Sequence, residues 1–196
     1  MPRVSRERAQ QNREKVVEQA ARLFRERGFE GVGIADVMKQ AGLTHGGFYA
    51  QFPSKEHLMA EACGMAWRDR NGRWRNLLDQ SKRKSLSALA AIYLSKGHRD
   101  APGEGCVAAA LGADSAHQGP LVRSQFESGI KEFIELLLPM LPAGSSKVQR
   151  REAIAACAAM VGAMVLARAV NDDAFSEEIL QAVRTHINEL EKARST

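Results

Sequence analysis

Residues 41–55 read A-G-L-T-H-G-G-F-Y-A-Q-F-P-S-K. Gly42 has no Cβ and can take the left-handed conformation that closes a helix. Leu43 then turns an apolar side chain into a small core, and Thr44 stands where a hydroxyl can cap the next helix. The spacing predicts a short helix over residues 45–51, with Phe48 and Phe52 four apart on one face. Pro53 stops it, and Ser54 caps the helix that follows. Upstream, Ile34, Val37, Met38 and Ala41 recur at helical spacing. Helix, glycine turn and short second helix is the layout of a helix-turn-helix, whose second helix enters a DNA major groove.

The run T-H-G-G-F-Y-A-Q-F-P-S-K-E-H-L, residues 44–58, resembles the DNA-binding signature of the TetR/AcrR family of bacterial regulators. The Phe48-Tyr49 pair, Phe52, and Ser54-Lys55 before a long apolar-periodic helix carry the resemblance, which is strict over residues 28–58. It implies an all-α chain: a three-helix DNA-binding domain over residues 1–54, then a helical ligand-binding and dimerisation domain over residues 55–196. It implies that Thr44, His45, Gly46 and Gly47 face base edges and that Tyr49, Gln51 and Lys55 face the sugar-phosphate backbone. Gly46 and Gly47 have no side chain with which to read a base, which leaves His45 as the main candidate for a base hydrogen bond. Gly33 departs from the family, which more often has Thr or Ser there to touch a phosphate.

Charge agrees with a polyanion-binding head. Residues 1–84 hold 17 Lys and Arg against 10 Asp and Glu, whereas residues 85–196 hold 11 against 13. At 44% hydrophobic residues, the chain has enough apolar surface for a packed core. Arg3, Arg6 and Arg8 form a basic arm that is either a solvated tail or a phosphate contact. Arg68, Arg70, Arg73 and Arg75, followed by Lys82, Arg83 and Lys84, read as a solvated face.

No apolar stretch follows the basic start as a secretory signal would require. Cys63, Cys106 and Cys157 are odd in number and far apart, which gives neither a disulfide framework nor metal spacing. A reduced, cytoplasmic setting without cofactor or metal is the simplest expectation. The apolar run 153–167 is too short for a membrane span and reads as a buried helix.

Beyond residue 55 the pattern predicts helices over residues 55–78 and 85–94, a loop over 97–105 and a short buried helix in G-C-V-A-A-A-L-G. Pro120 opens another helix. Ser146 is the expected cap of a helix over 147–170, and Ser176 of a helix over 176–192. The first of this pair is apolar almost all round and needs covering on both sides. In the resembling family the last two helices form a four-helix homodimer interface, and two heads then meet a palindromic double-stranded operator.

The resemblance also implies a small-molecule effector pocket in the body. Met59, Cys63, Trp67, Trp74, Tyr93, Cys106, His117 and Phe126 are its candidate lining, and most are equally good core. Cys106 follows Gly105 at a predicted helix start, where free N–H groups favour a thiolate and hence a response to oxidants or electrophiles. His98 and His117 lie within twenty residues of it, which leaves a Cys106 nucleophile on a helical enzyme scaffold as an alternative. An architectural DNA-binding protein without a ligand is another.

Overall fold

The computed structural model describes residues 6–80, 85–141 and 144–193. Arg3, Lys82, Arg83 and Lys84 lie outside them.

Among the described residues every regular element is helical: α1 (Arg6–Arg27), α2 (Ile34–Gln40), α3 (Lys55–Gln80), α4 (Leu86–Tyr93), α5 (Lys96–Asp100), α6 (Val107–Ser115), α7 (Pro120–Leu137), α8 (Ser146–Ala169) and α9 (Asp173–Ala193). Single 3₁₀ turns occupy His45–Gly47, Pro102–Glu104 and Leu138–Met140. α1 buries Val16, Val17, Ala20, Leu23 and Phe24 on one face. It ends at Gly28, whose φ of 73° only glycine adopts without strain. α3 is the spine, packing on α1 near its start and along α7.

The predicted loop over 97–105 is instead structured. Ser95 caps α5 by accepting from the His98 N–H at 3.2 Å, and a 3₁₀ turn follows at once. α8 begins one residue earlier than expected, with Ser145 rather than Ser146 as its cap. α9 begins at Asp173 and is capped by Asp172, whose carboxylate accepts from the N–H groups of Ala174 and Phe175. Ser176 is therefore inside the helix. It is buried, donates to the Ala167 carbonyl at 2.6 Å and accepts from Arg99 at 2.8 Å, tying α9 to α8 and α5.

α8 buries only its inner face, through Ala153, Cys157, Met160, Ala163, Met164 and Ala167. Its outer face exposes Ile154, Val165 and Leu166, and α9 adds Phe175 and Leu190. The expectation of burial all round is thus not met within one chain. By length and composition alone α8 is apolar enough to cross a membrane.

Candidate functional site

The tip of the N-terminal helices is built from aromatic packing outward. Phe24 meets Phe29 edge-on at 5.3 Å, and Phe48 stacks on Phe52 at 5.4 Å. All four rings are buried. Gly42, at φ 71°, turns the chain out of α2, and the Leu43 N–H returns to the Met38 carbonyl at 2.8 Å. Asp36 accepts from the Gly33 N–H at 3.0 Å, so the start of α2 is capped without a hydroxyl at position 33.

The segment predicted as a helix over 45–51 is one 3₁₀ turn followed by irregular turns, closed by a bond from Phe52 N–H to Phe48 O at 2.9 Å. Two consecutive glycines weaken α-helix by about 1 kcal/mol each, which accounts for the shortened element. Thr44 sits at the cap position, but its hydroxyl caps nothing. The Thr44 carbonyl takes the Gly47 N–H instead, at 3.1 Å.

This leaves Thr44, His45 and Gly46 exposed at the apex, and Tyr49 67% exposed. No atom lies within 4 Å of where a Gly46 Cβ would be. The Tyr49 ring meets Phe48 edge-on at 5.1 Å and leaves its hydroxyl outward. Gln51 is committed inward, donating to the Gly47 carbonyl at 3.1 Å. Lys55 donates to the Phe29 carbonyl at 2.8 Å, so its ammonium closes the base of the tip. The sequence-predicted set is therefore one contiguous surface whose apex is free and whose base is engaged in structure. Arg13, not singled out from the sequence, lies over the Phe52 ring at 4.6 Å and pairs with Glu61 of α3.

The second candidate set lies in the body. Met59, Cys63, Trp67, Trp74, Tyr93, Cys106 and Phe126 are all buried. His117, in the turn before α7, is exposed and joins none of them. Trp67 packs edge-on against Phe126 at 6.0 Å, and Trp74, Tyr93 and Phe133 stack in series at 6.1 Å spacing.

His98 organises the second group, and sequence reasoning had placed it in a loop. Its Nε2 accepts from the Cys106 N–H at 2.9 Å, so the ring proton is on Nδ1, which donates to the Tyr93 carbonyl at 2.6 Å. Burial pulls its pKa down to about 4, so the ring is neutral. Both nitrogens are engaged, and neither is left to take a proton from the Cys106 thiol. The Tyr93 hydroxyl lies beside that thiol without a well-formed hydrogen bond, and burial pushes its pKa well above the ordinary value. Burial also pushes Cys63 and Cys157 up to about 12.

Guanidinium groups surround this group. Arg168 donates to the carbonyls of Arg99 at 3.0 Å and His98 at 2.7 Å. Arg25 reaches the Gly105 carbonyl at 3.4 Å. Arg70, expected on a solvated face, is half-buried and stacks on Trp74 at 4.2 Å. The same region meets the end of α1, where Asp114 of α6 accepts from the Phe29 N–H at 3.2 Å.

Residues 16–62 match the family model described as bacterial regulatory proteins, tetR family. The N-terminal part of the chain is thus similar to the DNA-binding part of that family. Over 53 residues, 27% of this chain, it is 34% identical to an uncharacterised helix-turn-helix transcriptional regulator, YerO, from Bacillus subtilis strain 168. That match spans 18% of the relative's length. A TetR transcriptional regulator from Chloroflexus aurantiacus is 27% identical and superposes with a TM-score of 0.75, covering 92% of this chain and 94% of that one. The reduced form of Escherichia coli NemR gives 0.76 over 91% and 96% at 22% identity, a likeness of fold. The Thr44–Tyr49 apex falls inside the matched segment, whereas the His98–Cys106 group lies outside it.

Proposed function

We propose that the protein is a homodimeric, sequence-specific DNA-binding transcriptional repressor. Residues 1–54 are its reading domain and residues 55–196 its effector and dimerisation domain. The observation that carries this is the exposed apex Thr44–His45–Gly46 with Tyr49 beside it, on a buried Phe48–Phe52 floor within the family-matched segment. Thr44, His45, Gly46 and Gly47 meet base edges. The Tyr49 hydroxyl meets a phosphate, and Gln51 and Lys55 fix the backbone that presents them.

The exposed apolar residues of α8 and α9 support pairing of 147–170 and 176–192 across a two-fold axis. Two apices then meet the half-sites of a palindrome. The protein acts in the cytoplasm and catalyses no reaction. A small molecule, or a thiol-reactive signal at Cys106, favours a second arrangement of the dimer and releases DNA.

Fluorescence anisotropy with DNA from upstream of the protein's own gene, at fixed salt, tests the reading. Tight binding to one palindrome over shuffled DNA is the expected result. Equal affinity for both, with a steep salt dependence, would instead mark an architectural protein. Adding a mild electrophile to wild type and Cys106→Ser separates the two signals. Release from the wild type alone assigns the signal to the thiol, and retention by both assigns it to a non-covalent ligand.

A further inference from the structure

An open groove of about 340 Å³ runs between α3 and the α4–α5 segment. That volume is at the small end of the roughly 300–1,000 Å³ typical of ligand sites. Trp74, Leu77 and Ile92 give it an apolar wall. Arg70 and Arg73 line it from α3, with Ser95, His98 and Glu104 opposite.

The charges do not balance. Among the described residues Glu104 is the one carboxylate in the groove's lining, and its side chain faces Arg73 at 3.5 Å, with both groups well exposed. Among the described residues Arg70 has the Glu104 backbone carbonyl, at 3.5 Å, and the Trp74 face. Its Nε is buried without a partner. Burial opposes its charge first of all; Cys106 and Tyr93 favour it, and Arg73 and Arg168 oppose it further. His98 is neutral, with both nitrogens turned to backbone, and offers no negative charge. A guanidinium held partly out of water beside a carboxylate that is turned to another arginine is unfavourable, and its planar fork of donors fits a second carboxylate.

We infer that this groove takes a small apolar carboxylate, its anionic group on Arg70 and Arg73 and its hydrocarbon body against Trp74, Leu77 and Ile92. The inference rests on the effector-responsive reading above and names the chemical class of the effector. His98, which holds the Cys106 N–H, and Glu104, in the 3₁₀ turn that packs on α1, both line the groove, so an occupant touches a segment joined to the N-terminal helices.

The test is titration calorimetry on the full chain with four probes: 2-naphthoate, octanoate, and the neutral amide of each. The expected result is that at least one carboxylate binds and its amide binds at least about tenfold more weakly. Arg70→Gln removes about tenfold or more from carboxylate affinity and leaves the amide's unchanged. Arg73→Gln, at an exposed position that does not disturb packing, gives a smaller loss in the same direction, and decides the matter if Arg70→Gln fails to fold.

Equal binding of acid and amide overturns the proposal, as does failure of both carboxylates to bind at millimolar concentration. So does wild-type carboxylate affinity in both variants. Slower alkylation of Cys106 by iodoacetamide in Arg70→Gln, with carboxylate affinity unchanged, would mean that Arg70 serves the thiol, and also overturns it. Operator anisotropy run in parallel separates the two readings. Carboxylate binding without operator binding sinks the regulator, and operator binding without carboxylate binding sinks only the effector class.

Discussion

The backbone N–H of Cys106 donates to Nε2 of His98 at 2.9 Å, and this bond determines what both residues can do. It fixes the imidazole as neutral and joins the start of α6 to α5. Protonation would place two N–H groups against each other. The folded-state pKa of about 4 lies below the ordinary 6.5, so the unfolded chain takes up the proton first as pH falls. The stabilisation is fully present above about pH 6.5 and is lost as pH falls through 4. The interval converts to roughly 3 kcal/mol. Urea midpoints measured from pH 7 to pH 4 should fall accordingly, and His98→Gln should start lower and flatten the slope. Parallel slopes for the two proteins would dismiss His98 as the cause.

Gly129 of α7 lies against the Trp67 indole, with no room for a methyl group. Gly129→Ala must push the ring or separate α3 from α7. The expected loss is about 1–3 kcal/mol, read by urea unfolding followed through tryptophan fluorescence. Gly72→Ala, where nothing lies within 4 Å, is the matched control and should be neutral or slightly stabilising. Equal effects at the two positions would refute the packing assignment.

The head makes separable predictions. Tyr49→Phe removes one outward hydroxyl and should weaken binding to all DNA sequences alike, with no change in melting temperature. Lys55→Ala should weaken DNA binding and also cost about 1 kcal/mol of stability, because the Phe29 carbonyl loses its donor. His45→Ala should change which base is preferred at one position of each half-site. An unchanged preference at constant salt would remove His45 from the readout.

Leu166 on α8 is 58% exposed in a single chain and stands beside exposed Val165. Leu166→Glu should shift sedimentation from dimer to monomer and abolish cooperative operator binding while secondary structure is retained. A variant that sediments as a dimer would mean that α8 is not the shared face.

What the sequence disclosed depended on how far each cause reaches. Phe48 and Phe52 declare themselves by a four-residue period, and Gly28 and Gly42 by the turns that only they take comfortably. The cost of Gly46 and Gly47 to an α-helix is legible in the sequence, but that the Thr44 carbonyl rather than its hydroxyl takes the Gly47 N–H is decided by backbone geometry. Asp172 and Ser176 are both good caps four residues apart, and what separates them is Arg99, 77 residues upstream of Ser176. His98 was hidden in a Gly- and Pro-bearing stretch that reads as loop. Arg70 was misjudged because a charged residue on a long helix looks solvated until Trp74 is seen beneath it. The assigned roles of the apex residues toward DNA came from the resemblance, since no periodicity says what an exposed histidine touches.

The Phe29 N–H held by Asp114 has a mechanical consequence. The segment carrying His45 is joined to the rest of the chain at Lys55 by covalent continuity, along α1 through Arg13 with Glu61 and Arg25 with the Gly105 carbonyl, and again at Asp114. A body held at one point can swing in any direction, whereas one held at several separated points moves only with the frame that holds it. Asp114→Ala would remove one of these attachments and loosen that frame at the end of α1.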